Sequence, residues 1–157
     1  MQIIIRGLSL TRPWPFAFLN GPEAEQKRVE NRSWRPHRKM VGQFIALHAA
    51  KSWSESDRQW IAEKTGLYVP KKDESPHSEI FAVCQLQGWI EHDQDPRLIE
   101  PQRKWFFGPY GWLLNNFVPL ITPVPCVGAM GLWGFEKKPD ELAQLREAYK
   151  EATRRAA

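Results

Sequence analysis

Two apolar segments decide most of what this chain can build. Residues 42–50, GQFIALHAA, are mostly apolar on both alternating sets: Phe44, Ala46 and His48 on one, Ile45, Leu47 and Ala49 on the other. Such a pattern marks a central strand, covered on both faces. Residues 79–92, EIFAVCQLQGWIEH, read as a second strong strand. Residues 2–10 are β-branched and apolar and predict a third, and Val29–Trp34 a weaker fourth. The stretch NFVPLITPVPCVGAMGLWGF contains three prolines. Proline lacks the ladder donor, so edge or bulged strands are expected there.

Helices are marked by their ends. Thr11 or Arg12 is the expected N-cap of a short helix through WPFAFLN, with Pro13 in its first turn and Gly21-Pro22 as its stop. Ser54 opens a second helix, with Asp57 three residues on and Gly66 as its terminator. Trp53, Trp60 and Ile61 fall on one side of it. Pro139, Asp140 and Glu141 start a third, whose apolar face is Leu142, Leu145, Tyr149 and Ala152. Arg154 and Arg155 close it with the sign the helix dipole favours. Residues 67–78 and 91–104 are polar loops that offer docking surfaces. Strands outnumber helices without regular alternation, which predicts an α+β domain. The expected architecture is a small β-barrel, a curved and mostly antiparallel sheet, with a short N-terminal, a middle and a C-terminal helix. One domain is expected over 1–157, with a core over about 2–136 and a terminal helix over about 139–155.

The chain has 42% apolar and 25% charged residues, which excludes global disorder. No run approaches the ~20 apolar residues of a membrane helix. The start, MQIIIRGLSL, has no basic region ahead of its apolar stretch, so no signal peptide is read there. Cys84 and Cys126 lie in apolar, strand-like text and read as reduced, buried side chains, so the cytosol is the expected compartment.

Net charge is +4, but residues 26–40, QKRVENRSWRPHRKM, carry +5 by themselves, so the rest of the chain sums to −1. A local basic segment containing a tryptophan can attract phosphates and stack a base. Within it, Lys27 and Glu30 are three apart and can converge on one ligand or shift each other's pKa for acid/base work. The plain alternative is an exposed ion pair worth ~0–1 kcal/mol. Arg12 is a candidate anion contact, Trp14 and Trp34 are candidate stacking surfaces, and Trp34, between Ser33 and Arg35, is the one expected to be accessible. Trp53, Trp60, Trp89 and Trp133 are expected in the core. His48 reads as a satisfied core histidine, and Lys51 after it as the better cleft residue. Tyr110 and Trp112, flanked by glycine, are candidate cleft walls. The four histidines and two cysteines show no metal spacing, and no nucleophile elbow or phosphate loop occurs, so neither a metal nor a cofactor is expected.

Taken in order, four pieces resemble the ASCH domain of the PUA-like superfamily over nearly the whole chain. LSLTRPWPFAFLNG is similar to the family's opening strand and R-x-P-W helix. QKRVENRSW is similar to its G-x-K-x-x-E-x-R signature, with Lys27, Glu30 and Arg32 in register and Gln26-Lys27 standing in place of Gly-x-Lys. GQFIALHAAK resembles the next strand with its closing lysine, here Lys51, and YGWLLNNFVPLITPVPCVGAMGLWGF resembles the final strands. The resemblance implies a β-barrel with a cleft edged by the first helix, and recognition of single-stranded RNA, other nucleic acid or a modified nucleobase. Some relatives are hydrolases, on N4-acetylcytidine or as ribonucleases. The amidohydrolase branch has threonine where this chain has Glu30, so that nucleophile does not carry over. Two functions are therefore expected to compete: nucleic-acid binding through Arg12, Trp14, Arg32, Trp34, Lys51, Tyr110 and Trp112, or metal-independent hydrolysis by Lys27 and Glu30.

Overall fold

The computed structural model describes residues 5–156. Residues 2–4 of the expected first strand lie outside the described residues. Within them, β1 (Ile5–Arg12) runs parallel to β3 (Phe44–Trp53), with Leu8 opposite Leu47 and Ser9 opposite His48. Next to β3 lies β4 (Glu79–Ile90), antiparallel, and then β5 (Tyr110–Pro125), also antiparallel. The short β2 (Val29–Arg32) closes one edge against β5, and β6 (Leu132–Trp133) closes the other against β1. The strand order is β2-β5-β4-β3-β1-β6.

The class is α+β, and β3 takes the central place its two-sided apolar pattern demands. Ile45, Leu47 and Ala49 enter one core cluster with Leu8, Leu10, Phe18 and Trp112. Phe44 and Ala46 face another, with Ile80, Val83, Val124 and Trp133. The sheet is mixed and not closed into a barrel by strand pairing, because it ends at β2 and β6. It does bend round. Arg32, on the first strand in spatial order, reaches the Ser9 carbonyl on the fifth at 3.1 Å. A side chain links β2 to β1 where backbone pairing does not.

β5 differs from expectation. Instead of separate edge strands, one strand of 16 residues runs from Tyr110 to Pro125. Only residues 111–113 pair on both sides; Pro119 and Pro125 pair with β4 alone, where register shifts break the ladder. The prolines therefore occupy a half-strand whose outer edge needs no donor.

α1 (Trp14–Leu19) follows β1 directly, so Thr11 and Arg12 belong to the strand, and Pro13 occupies the cap without a side-chain bond. α2 (Glu55–Thr65) is capped as the sequence predicts: Ser54 Oγ accepts from the Asp57 amide at 3.2 Å, and Gly66 ends it. α3 (Pro139–Ala156) buries Leu145, Ala148 and Ala152 against the second cluster. Both cysteines are buried and free. Among the described residues no helix is long and apolar enough to cross a membrane.

Candidate functional site

β2 projects Glu30 and Arg32 onto one face, two residues apart, because strand side chains alternate. Lys27 stands just ahead of the strand. Its amide donates to the Ala17 carbonyl at 2.8 Å, which ties this turn to α1. Its side chain runs beneath that helix, with Nζ 5.3 Å from the Trp14 ring centre and 4.9 Å from that of Phe18. Nζ donates to the Val29 carbonyl and, at 2.9 Å, to Glu30 Oε1. Glu30 Oε2 meets Arg32 Nη2 at 3.1 Å. The three side chains form one line from interior to surface: Lys27 is 2% exposed, Glu30 12% and Arg32 21%.

This is not the exposed ion pair of ~0–1 kcal/mol. Burial drives the Lys27 ammonium below its usual pKa, Glu30 opposes that by its charge and hydrogen bond, and Arg32 adds to the lowering. Both Glu30 oxygens have a cationic partner. Arg32 Nε is buried and has no acceptor in the protein. The network thus holds one buried donor without a partner in the protein.

Two residues after Arg32 stands Trp34, 41% exposed, as its polar neighbours predict. Its ring meets Trp112 edge-on, with centroids 5.0 Å apart, and its carbonyl accepts from Trp112 Nε1 at 3.1 Å. Residues 33–35 and 37–39 are exposed, anchored by buried Pro36 and Met40. The +5 segment therefore divides. Lys27, Arg28 and Arg32 turn inward: the Arg28 guanidinium lies 3.8 Å over the Phe117 ring and donates to the carbonyls of Phe18 and Lys27. Arg35, Arg38 and Lys39 are exposed on the segment that follows Trp34, with the Arg35 guanidinium 6.0 Å from the Trp89 ring centre.

The other expected residues sort as follows. Tyr110 is half-buried and sits opposite Arg32 in register, at the same mouth. Trp112 is fully buried and walls no cleft. Its neighbour Gly111 admits not a ligand but the Phe106 ring, which a Cβ there would meet at 2.7 Å. Trp14 joins Trp60, Trp105 and Phe107 in an aromatic cluster, with Nε1 donating to Asp57 Oδ2 at 2.9 Å, so it shields Lys27 rather than offering an open face. Arg12 and Lys51 lie apart from this network: the Arg12 guanidinium donates to the Lys51 carbonyl at 2.7 Å. Of the tryptophans expected in the core, Trp133 is buried, whereas Trp53, Trp60 and Trp89 are half-buried.

Sequence reasoning missed the polar pins that fix the mouth. Asn31 donates to the Trp105 carbonyl at 2.8 Å and accepts from the Phe107 amide at 2.7 Å. Ser9, whose carbonyl receives Arg32, lies 3.0 Å by its Oγ from His48 Nδ1 and accepts from Trp133 Nε1 at 3.1 Å. His48 Nε2 lies 2.7 Å from the Cys126 carbonyl and so carries the proton. Isolated Asn and Ser residues in loops and strands carry no spacing signal that marks such roles. Among the described residues no group of three His, Cys, Asp or Glu side chains could hold a metal ion.

No protein-family model matches the chain, and no curated protein matches it. Its function is therefore read from the side chains themselves.

Proposed function

We propose that the mouth beside β2 binds nucleic acid, single-stranded RNA first among its forms, or a modified nucleobase. The observation that carries this is Trp34, an exposed indole held edge-on by a buried one, two residues after Arg32 and at the head of a segment with the exposed cations Arg35, Arg38 and Lys39. A base stacks on Trp34, worth ~1–3 kcal/mol. Its polar edge faces Arg32, whose Nε lacks an acceptor, and Glu30. The three exposed cations neutralise phosphates along the strand. In this reading the bent, open sheet is the PUA-like arrangement of an ASCH domain. The free cysteines fit a reducing, cytoplasmic setting. Anisotropy of an end-labelled RNA tests it: Trp34→Ala should weaken binding ~10–100-fold, the equivalent of the stacking energy. Unchanged affinity in that variant removes Trp34 from the interface.

One observation favours a second reading, metal-independent hydrolysis of RNA or of a nucleoside such as N4-acetylcytidine. The Glu30 carboxylate, partly exposed and held between Lys27 and Arg32, is a fixed proton acceptor. Glu30 would take a proton from the attacking water, with Lys27 orienting the carboxylate. Lys27→Met should then abolish product formation while leaving RNA affinity within a few-fold. Equal turnover in Lys27→Met rules the mechanism out.

A further inference from the structure

Arg12 lines a cavity of about 540 Å³ at the far end of β1, between the first turn of α2 and the loop from Lys71 to His77. The residue is 4% exposed. Nη1 donates to the carbonyls of Lys72 at 3.0 Å and Ser75 at 2.7 Å, and Nη2 to that of Lys51. Nε has no acceptor. Among the described residues no carboxylate pairs with this guanidinium. The guanidinium also lies 5.6 Å from the Trp53 ring centre, but carbonyl dipoles and a ring face are no counter-ion, and a buried charge without one is costly unless an anion supplies it.

The cavity's other charges point the same way. Arg58, Lys71 and Lys72 line it with Arg12, against the two carboxylates of Glu55 and Asp73. Arg58 already holds Glu55 at 3.0 Å. The neighbouring Glu74 accepts from the Tyr68 hydroxyl and the Lys71 amide. What remains facing the space is Arg12, Lys71 and Lys72 against Asp73.

We propose that this cavity is a phosphate-binding site, separate from the mouth beside β2 and independent of the function argued for it. Its volume falls within the range of small-molecule sites and exceeds what inorganic phosphate fills, so the phosphate is borne on a larger molecule. A phosphomonoester and a backbone phosphodiester share this chemistry and differ in what else enters the cavity.

The test is a titration of the ¹⁵N-labelled full chain at constant ionic strength, following the Arg12 Nε–Hε resonance. The probes are inorganic phosphate, a nucleoside 5′-monophosphate and a short oligonucleotide, with chloride as control. The expected result is a saturable shift with phosphate in the ~mM range, tighter with one of the larger probes. Tighter mononucleotide binding identifies a monoester, tighter oligonucleotide binding a diester. Lys71→Gln/Lys72→Gln, both exposed positions, should weaken the shift at least tenfold. Arg35→Gln/Arg38→Gln/Lys39→Gln should leave it unchanged. The proposal is overturned by the absence of a saturable shift, by equal shifts with chloride, by wild-type affinity in the double lysine variant, or by loss of binding in the triple variant.

Discussion

Glu30 is the hinge of the Lys27–Glu30–Arg32 line, since each of its oxygens answers a different cation. Removing its charge leaves Lys27 enclosed by Trp14 and Phe18 with only a carbonyl for company. Glu30→Gln should therefore lower the unfolding free energy by ~3 kcal/mol, the lower end for a broken buried pair because Glu30 is partly exposed. Lys27→Met/Glu30→Gln should recover most of that, because an apolar side chain suits the space beneath α1. Urea unfolding of the two variants measures both; a Glu30→Gln protein as stable as wild type would mean that solvent screens the pair. Trp34→Ala, by contrast, should cost only ~1 kcal/mol, the edge-on pair with Trp112. The bond from Trp112 ends on the Trp34 main chain, which that substitution preserves.

Between elements, the Ser9–His48–Trp133 contacts knit β1, β3 and β6 to the segment after β5. Gly128 rests against this knot: a Cβ there would meet Ser9 Oγ at 2.3 Å and the His48 ring at 2.6 Å. Gly128→Ala should cost ~1–3 kcal/mol, as overpacking does, and thermal unfolding would register it. Burial lowers the His48 pKa; the bond to the Cys126 carbonyl opposes this and the Lys138 charge adds to it. A lowered folded pKa means the unfolded chain binds the proton first. Stability is then fully present above pH ~6.5 and is lost as pH falls from there through the folded value. Denaturant unfolding between pH 7.5 and 5 should show that loss, and His48→Gln should flatten the slope. An unaltered slope in the variant would assign the pH response to another group. Much at this scale was legible in the chain. The central β3 followed from two alternating apolar sets, α2 from Ser54, Asp57 and Gly66, and the buried histidine from its apolar strand. Trp112 was misread because a glycine beside an aromatic signals close approach without saying by what, and here it is Phe106. The start of α1 was misread because Arg12 continues the ladder with β3.

Across the whole molecule, the sequence's charge map and the surface's differ. The +5 segment places half its cations inside, which charge counting along a chain has no means to detect. Exposed Arg35, Arg38 and Lys39 remain on the loop that Trp34 heads. If each neutralises one phosphate, they account for about 2 in the slope of log affinity against log salt, at ~0.7 per contact on a single strand. The decisive measurement is therefore the salt dependence of anisotropy for a labelled single-stranded RNA, comparing wild type with Arg35→Gln/Arg38→Gln/Lys39→Gln. Binding by the wild type with a slope steeper than that of the variant by about 2 is the expected result. Equal slopes, or no binding by the wild type at low salt, would contradict a nucleic-acid interface at this mouth.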